Sequence, residues 1–275
     1  MNLTEFLTII LIGAFFAGLL GSLTGLGGGV VIVPLLTIGL GVDVKYAAGA
    51  SLLAVIGTSC GAGAVPSRLK LANLRIGLFL EVAAVSGALV AALSVKHVPV
   101  SVLSFLFGCV LLFSAWFSFH QPAADPASSA DRFAKMFDLD GHHVVAGVER
   151  DYHVRGVQSG FGLMFVAGIL SGLLGIGSGA LKTLAMDQVM RIPFKVSTAT
   201  SNFMIGLTAA ASAGVYIARG YVDPELTLPV VVGTVLGAMF GTHVLGRMGT
   251  RLLRPLFALV IVVLGVQMIV RAFTH

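Results

Sequence analysis

The stretch Ala17 to Gly29 reads AGLLGSLTGLGGG, and 150 positions later Ala167 to Gly179 reads AGILSGLLGIGSG. The register then continues without a gap. Lys45 aligns with Lys195, Ser51 with Ser201, Thr58 with Thr208, Gly87-Ala88 with Gly237-Ala238 and Leu106-Phe107 with Leu256-Phe257. One offset running through five hydrophobic segments marks a duplicated unit, so any fold for this chain has to be built twice. In the first copy the segments are about 3–23, 29–42, 46–65, 76–95 and 98–119; in the second they are about 156–174, 179–190, 195–218, 226–246 and 250–273. Four of each five approach the roughly 20 residues that cross about 30 Å of hydrocarbon as a helix. The segment beginning at each glycine cluster is too short, at about 1.5 Å per helical residue. It reads as a half-helix, a short tilted span or one arm of a re-entrant hairpin.

Composition decides where these segments live. Of the 275 residues 57% are hydrophobic and 11% charged, against about 25% charged in soluble domains. A soluble domain near this length buries only about 75% of its unfolded surface, so hydrocarbon has to cover the rest. The 35 glycines suit close helix packing in lipid. The net charge of +5 comes from basic residues scattered between apolar runs, which excludes a nucleic-acid face. The first apolar segment has no basic residue before it and part of it recurs in the second copy, so it is expected to belong to the mature fold and not to a signal peptide. Cys60 and Cys109 lie inside apolar runs without metal-like spacing and read as small buried hydrophobes.

Three regions follow: a first transmembrane repeat at 1–119, a linker at 120–157 and a second repeat at 158–275. The linker holds six of the twelve acids and four of the seven histidines, too polar for a span. Val144-Val145 and Val154 fit a small strand pair there. His142, His143 and His153 lack a paired ligand motif and read as solvated loop histidines, so no metal and no cofactor are expected.

Positive charge sets the topology. An odd number of crossings per copy places Lys45, Lys96, Lys182, Arg219 and Arg271 on the N-terminal side and the other twelve basic residues opposite. An even number divides them about evenly. The positive-inside rule selects the first: inverted repeats, the linker cytoplasmic, both termini outside. The expected fold is an all-α polytopic membrane protein of two inverted-topology repeats with glycine-broken helices or re-entrant hairpins. Such repeats fit alternating access, with the site at the midplane where the breaks meet.

The glycine clusters are the first candidate site. Gly27, Gly28 and Gly29, beside Thr24, and Gly177, Ser178 and Gly179 permit irregular backbone, which at membrane depth has to be buried or line a cavity. Helices starting there would aim free N–H groups at an anion; the alternative is plain helix-packing glycine. Lys182 replaces Ile32 of the first copy, as an intramembrane ligand for an anion or as a lysine snorkelling to the surface. Ser51, Ser201 and Asn202, with Thr58 and Thr208, offer hydroxyls and an amide to oxyanion oxygens, or serve as interhelical hydrogen-bond glue. Glu81, Asp187 and His243 are candidates for proton coupling, or interfacial residues paired to neighbours. HExxH is absent, and no Ser/His/Asp or Cys/His arrangement is placed convincingly, so no enzyme is expected.

The run from Ala17 to Gly29, followed by Val33-Pro34-Leu35, together with Gly175-Ile176-Gly177-Ser178-Gly179, resembles the TauE/SafE sulfite exporter family over both halves. The second motif departs from the first, with Ser178 for the middle glycine and Leu184 for Pro34. The resemblance implies a bacterial inner-membrane permease for sulfite, sulfoacetate or another small sulfur-containing anion. Its partners would be that anion, the lipid bilayer and a coupling ion, either proton or sodium, and no nucleic acid; the residues do not specify an oligomeric state. Other readings of the same residues are a cation-coupled importer, a passive anion channel, or a scaffold or sensor acting through the linker.

Overall fold

In hydrocarbon every backbone N–H and C=O has to be satisfied within the protein, and uninterrupted apolar sequence does this as α-helix. The computed structural model describes residues 3–24, 27–63, 72–119, 132–137, 139–145, 148–245 and 250–274. The first copy contains α1 (Leu3–Thr24), α2 (Gly29–Pro34), α3 (Val44–Gly63), α4 (Leu74–Ser94) and α5 (Val100–Phe119). The linker holds α6 (Arg132–Met136), β1 (Gly141–Val145) and β2 (Val148–Tyr152). The second copy follows as α7 (Val157–Leu174), α8 (Gly179–Leu184), α9 (Phe194–Ala218), α10 (Pro224–Leu245) and α11 (Thr250–Thr274). Among the described residues five helical stretches are long and apolar enough to cross a membrane: Glu5–Ser22, Leu74–His97, Val157–Leu174, Val196–Ala218 and Pro224–Gly241. The chain is a multi-pass helical membrane protein.

The duplication is visible in the backbone. α2 passes into a π-helical turn at Leu35–Gly39, and α8 passes into one at Ala185–Val189. Pro34 stands before the first turn and Leu184 before the second, so proline is not what widens the helix. Each turn leads to a left-handed residue, Gly41 at φ 70° and Arg191 at φ 58°.

The halves interlock instead of packing as two separate bundles. α1 packs on α10 and α4 on α7; α3 packs on α9 and α5 on α11. The contacts are reciprocal at residue level. A Cβ on Gly18 would strike the carbonyl of Thr234, and one on Gly168 the carbonyl of Ala84. A Cβ on Gly237 would strike the carbonyl of Phe15, and one on Gly87 that of Phe165. Each pair maps onto the other by the 150-residue offset. Glycine at these points brings two helix backbones together, the arrangement that dispersion favours in lipid.

Large apolar side chains such as Phe16, Val82, Trp116 and Leu228 face outward, as hydrocarbon allows. The same fact corrects the cysteine expectation. Cys60 and Cys109 are exposed, not buried, because an apolar residue on a membrane helix meets its apolar environment at the lipid face as readily as in the core.

The linker forms an antiparallel hairpin pairing Gly141 with Tyr152 through to Val145 with Val148. Val144 and Val145 lie in β1 as expected, but Val154 lies beyond β2. It is buried against the core, and its N–H donates to Asp140 Oδ1 at 2.9 Å. The hairpin is tied to the helices through Asn73. That side chain caps α4 by accepting from the Ile76 N–H at 3.1 Å. Its amide donates to the Tyr152 hydroxyl at 2.8 Å and its backbone N–H to Thr200 Oγ1 at 3.0 Å. Burial pushes the Tyr152 phenol above its ordinary pKa, assisted by the Asp140 charge and opposed by the bond from Asn73.

Candidate functional site

At the first break, α1 ends at Thr24 and α2 begins at Gly29, with Gly27 left-handed at φ 80° between them. Beside it is a cavity lined by Gly21, Ser22, Gly27, Thr58, Ser59, Asn202 and Ile205. Gly27, Thr58 and Asn202 are predicted site residues; Ser22 and Ser59 are additions. Both halves contribute, because Asn202 and Ile205 come from α9. Ser59 Oγ donates to the Asn202 carbonyl at 2.6 Å across the join, and the Thr58 hydroxyl donates to Val55 of its own helix. At about 10 Å³ the cavity has room for about one water molecule.

At the second break Gly175, Gly177 and Ser178 are all left-handed, at φ 70°, 68° and 48°. Glycine tolerates this conformation; a serine there carries strain of order 1–3 kcal/mol. Ser178 is buried, and its hydroxyl has no hydrogen-bond partner among the described residues. Ser171, one turn before the break, is in the same condition. Buried hydroxyls are ordinarily bonded, so the second break holds two unused polar groups.

Ser51 and Ser201, equivalent across the repeat, both serve the second break in this conformation. Ser51 Oγ donates to the Gly175 carbonyl at 2.7 Å and Ser201 Oγ to the Gly179 carbonyl at 3.1 Å. A Cβ on Gly29 would lie 2.6 Å from Ser51 Oγ and 3.0 Å from the Gly175 carbonyl, so the two breaks come together there. α2 and α8 are six residues long, and the N–H groups of Val31 and Ile32 already bond the Gly28 carbonyl. Helix dipoles therefore add little, and the polarity of the region rests on side chains.

Lys182 does not snorkel: its side chain is wholly buried. Its ammonium donates to Glu81 Oε2 at 3.5 Å, to the Met204 carbonyl at 3.2 Å and to the Thr208 hydroxyl. This cluster and the cavity share α9. Met204 and Thr208 meet Lys182, while Asn202 and Ile205 line the cavity a fraction of a turn around the helix. Glu81 is thus paired to a neighbour, but in the interior and not at an interface. Asp187 is buried in the second π-turn, facing the charge of Arg191. The side chains of Thr24 and His243 lie outside the described residues, as do those of His142 and His143. His153 pairs with Asp140 at 2.9 Å. Among the described residues no three metal-ligating side chains cluster.

A second, larger cavity of about 250 Å³ lies away from the breaks, bordered by Asp43, Ser101, Ser104 and Arg271. There the Arg271 guanidinium donates to the Thr37 carbonyl at the first π-turn. Sequence reading did not find this cavity, because its residues are far apart in the chain and carry no shared spacing.

The family model described as "Sulfite exporter TauE/SafE" matches residues 10–268. The chain is 29% identical over 273 residues to the probable membrane transporter protein YunE of Bacillus subtilis (strain 168), covering 96% of this chain and 97% of that protein. It is 26% identical to the probable membrane transporter protein YdhB of the same organism, covering 85% and 88%. It is 25% identical to the probable membrane transporter protein MJ0441 of Methanocaldococcus jannaschii, covering 96% and 95%. No solved structure matches the chain.

Proposed function

Because this chain belongs to the TauE/SafE sulfite exporter family, we propose that it is a secondary transporter. It carries a small sulfur-containing anion, sulfite or an organosulfonate of sulfoacetate size, out across the bacterial cytoplasmic membrane. The observation that carries this reading is the small cavity at the first break, built from Gly27, Thr58 and Ser59 of one half and Asn202 and Ile205 of the other. A site shared between two copies of one bundle is what alternating access requires. Room for about one water is too little for sulfite, so this conformation is read as one with the site contracted, and the anion enters when the halves part. The unused hydroxyls of Ser171 and Ser178 are donors available to replace an anion's lost hydration.

The repeats are taken as inverted, with residues 120–157 cytoplasmic and both termini outside. The division of basic residues supports this orientation, and the reciprocal glycine contacts support a two-fold exchange of the halves. Labelled sulfite and a panel of small sulfonates, offered to proteoliposomes, test the reading. Saturable uptake of at least one anion is expected. Asn202→Ala should raise the KM about tenfold, the loss of one hydrogen bond to a charged group. Wild-type protein that takes up none of these anions, under pH or sodium gradients alike, would overturn it.

A further inference from the structure

Lys182 and Glu81 form a buried ion pair, Nζ to Oε2 at 3.5 Å, with the lysine wholly enclosed. The three ammonium hydrogens are matched by three acceptors: Glu81, the Met204 carbonyl and the Thr208 hydroxyl. Thr208 in turn donates to Glu81 Oε1 at 2.5 Å, so it bridges the two charges. In this state the lysine has nothing left to offer an incoming anion.

The duplication supplies an internal control. The positions equivalent to Lys182 and Glu81 are Ile32 and Val231, with Thr58 in place of Thr208. Ile32 is wholly buried and Val231 packs on the core. The same architecture is therefore built once with an ion pair and once with apolar side chains. Replacing a buried ion pair by apolar groups of similar volume is often neutral or stabilising, so folding gives no reason for the pair. Its charge environment is also simple. α7 carries no ionisable residue; α4 carries Arg75 besides Glu81, α9 carries Lys195 and Tyr216, and the turn after α8 carries Asp187. Asp187 faces Arg191 instead. Among the described residues, the charge acting on Lys182 is that of Glu81, and the charge acting on Glu81 is that of Lys182.

Resting on the transporter reading above, we infer that Glu81 and Lys182 form a proton-switched anion site: protonation of Glu81 frees the Lys182 ammonium for the transported anion, and one proton crosses with each anion. A proton from the open side adds to the Glu81 carboxylate, and the anion takes the donor that Glu81 gives up. On the far side both leave and the pair re-forms. For a monoanion the site is neutral when empty and neutral when loaded. That avoids moving an uncompensated buried charge as the halves reorient. Direction is then set by the sum of the two gradients, and net export runs when the outward anion gradient exceeds the inward force on protons.

The test is uptake of labelled sulfite and methanesulfonate into proteoliposomes, measured above protein-free vesicles. The external pH is held constant so that the offered anion does not change its protonation. A lumen more alkaline than the bath should raise wild-type accumulation up to about tenfold per unit of pH difference. Glu81→Gln should lose that response. The double variant Glu81→Val/Lys182→Ile, which copies the other repeat, should match wild type in thermal stability and also lose the response. It keeps the test decisive if Glu81→Gln fails to fold. Wild-type uptake indifferent to the pH difference, or variants still driven by it, would overturn the coupling and leave the transporter reading standing. Absence of any wild-type uptake would overturn the transporter reading itself.

Discussion

Ser178 combines a left-handed backbone at φ 48° with a buried hydroxyl that bonds nothing among the described residues. Both features cost stability, and the equivalent Gly28 of the first repeat has neither, with right-handed backbone at φ −63° and no hydroxyl. Ser178→Gly should therefore raise the melting temperature, by relief of about 1 kcal/mol or more of strain. If the hydroxyl serves the anion, the same variant should bind it more weakly, and uptake kinetics beside a thermal melt would read both. A more stable variant with unchanged KM would leave Ser178 without a role in binding. Lys182 shows the opposite balance. Lys182→Ala alone leaves the Glu81 carboxylate buried without its partner, a loss of about 3–5 kcal/mol. Adding Glu81→Val should recover most of that loss, and a thermal double-mutant cycle would measure it. The first-copy counterpart, Ile32, is buried equally deeply without any charge to neutralise.

Among the elements, the glycine-lined crossings of α1 with α10 and α4 with α7 set how closely the halves approach. Gly168→Leu would drive a side chain onto the Ala84 backbone and should destabilise by about 1–3 kcal/mol. Gly214→Ala in α9 meets nothing within 4 Å and should be neutral, or stabilising by about 0.5–1 kcal/mol through helix propensity. Thermal unfolding of the two purified variants separates close approach from glycine content as such. The π-turns after α2 and α8 were not legible as such in the sequence. Two short segments beginning at glycine clusters were evident, but the width of a helical turn depends on what packs around it. Pro34 in one copy and Leu184 in the other precede the same turn. The linker hairpin was half legible: valines marked β1, but Val154 is held outside the strands by Asp140, a contact with no local signature.

For the whole molecule, every major helix pair joins one half to the other. Residues 1–119 expressed alone should therefore fail to form a monodisperse protein. Two fragments divided within 120–131 and co-expressed should assemble, and gel filtration of tagged halves would show which occurs. The apolar helices follow from apolar run length, because in hydrocarbon the backbone has few other ways to satisfy itself. The duplication and the two glycine clusters were equally plain, being patterns of residue identity along one chain. Which face of each helix turns inward was not legible: lipid accepts apolar side chains as readily as the core does, so hydrophobicity leaves Cys60 and Cys109 unassigned. Only the tertiary structure brought Glu81 to Lys182, 101 positions away, and Asn202 to Ser59 at the cavity. Contacts of that kind depend on how helices rotate and cross, and that is settled by glycine-to-carbonyl packing between the halves, which acts across the chain and not along it.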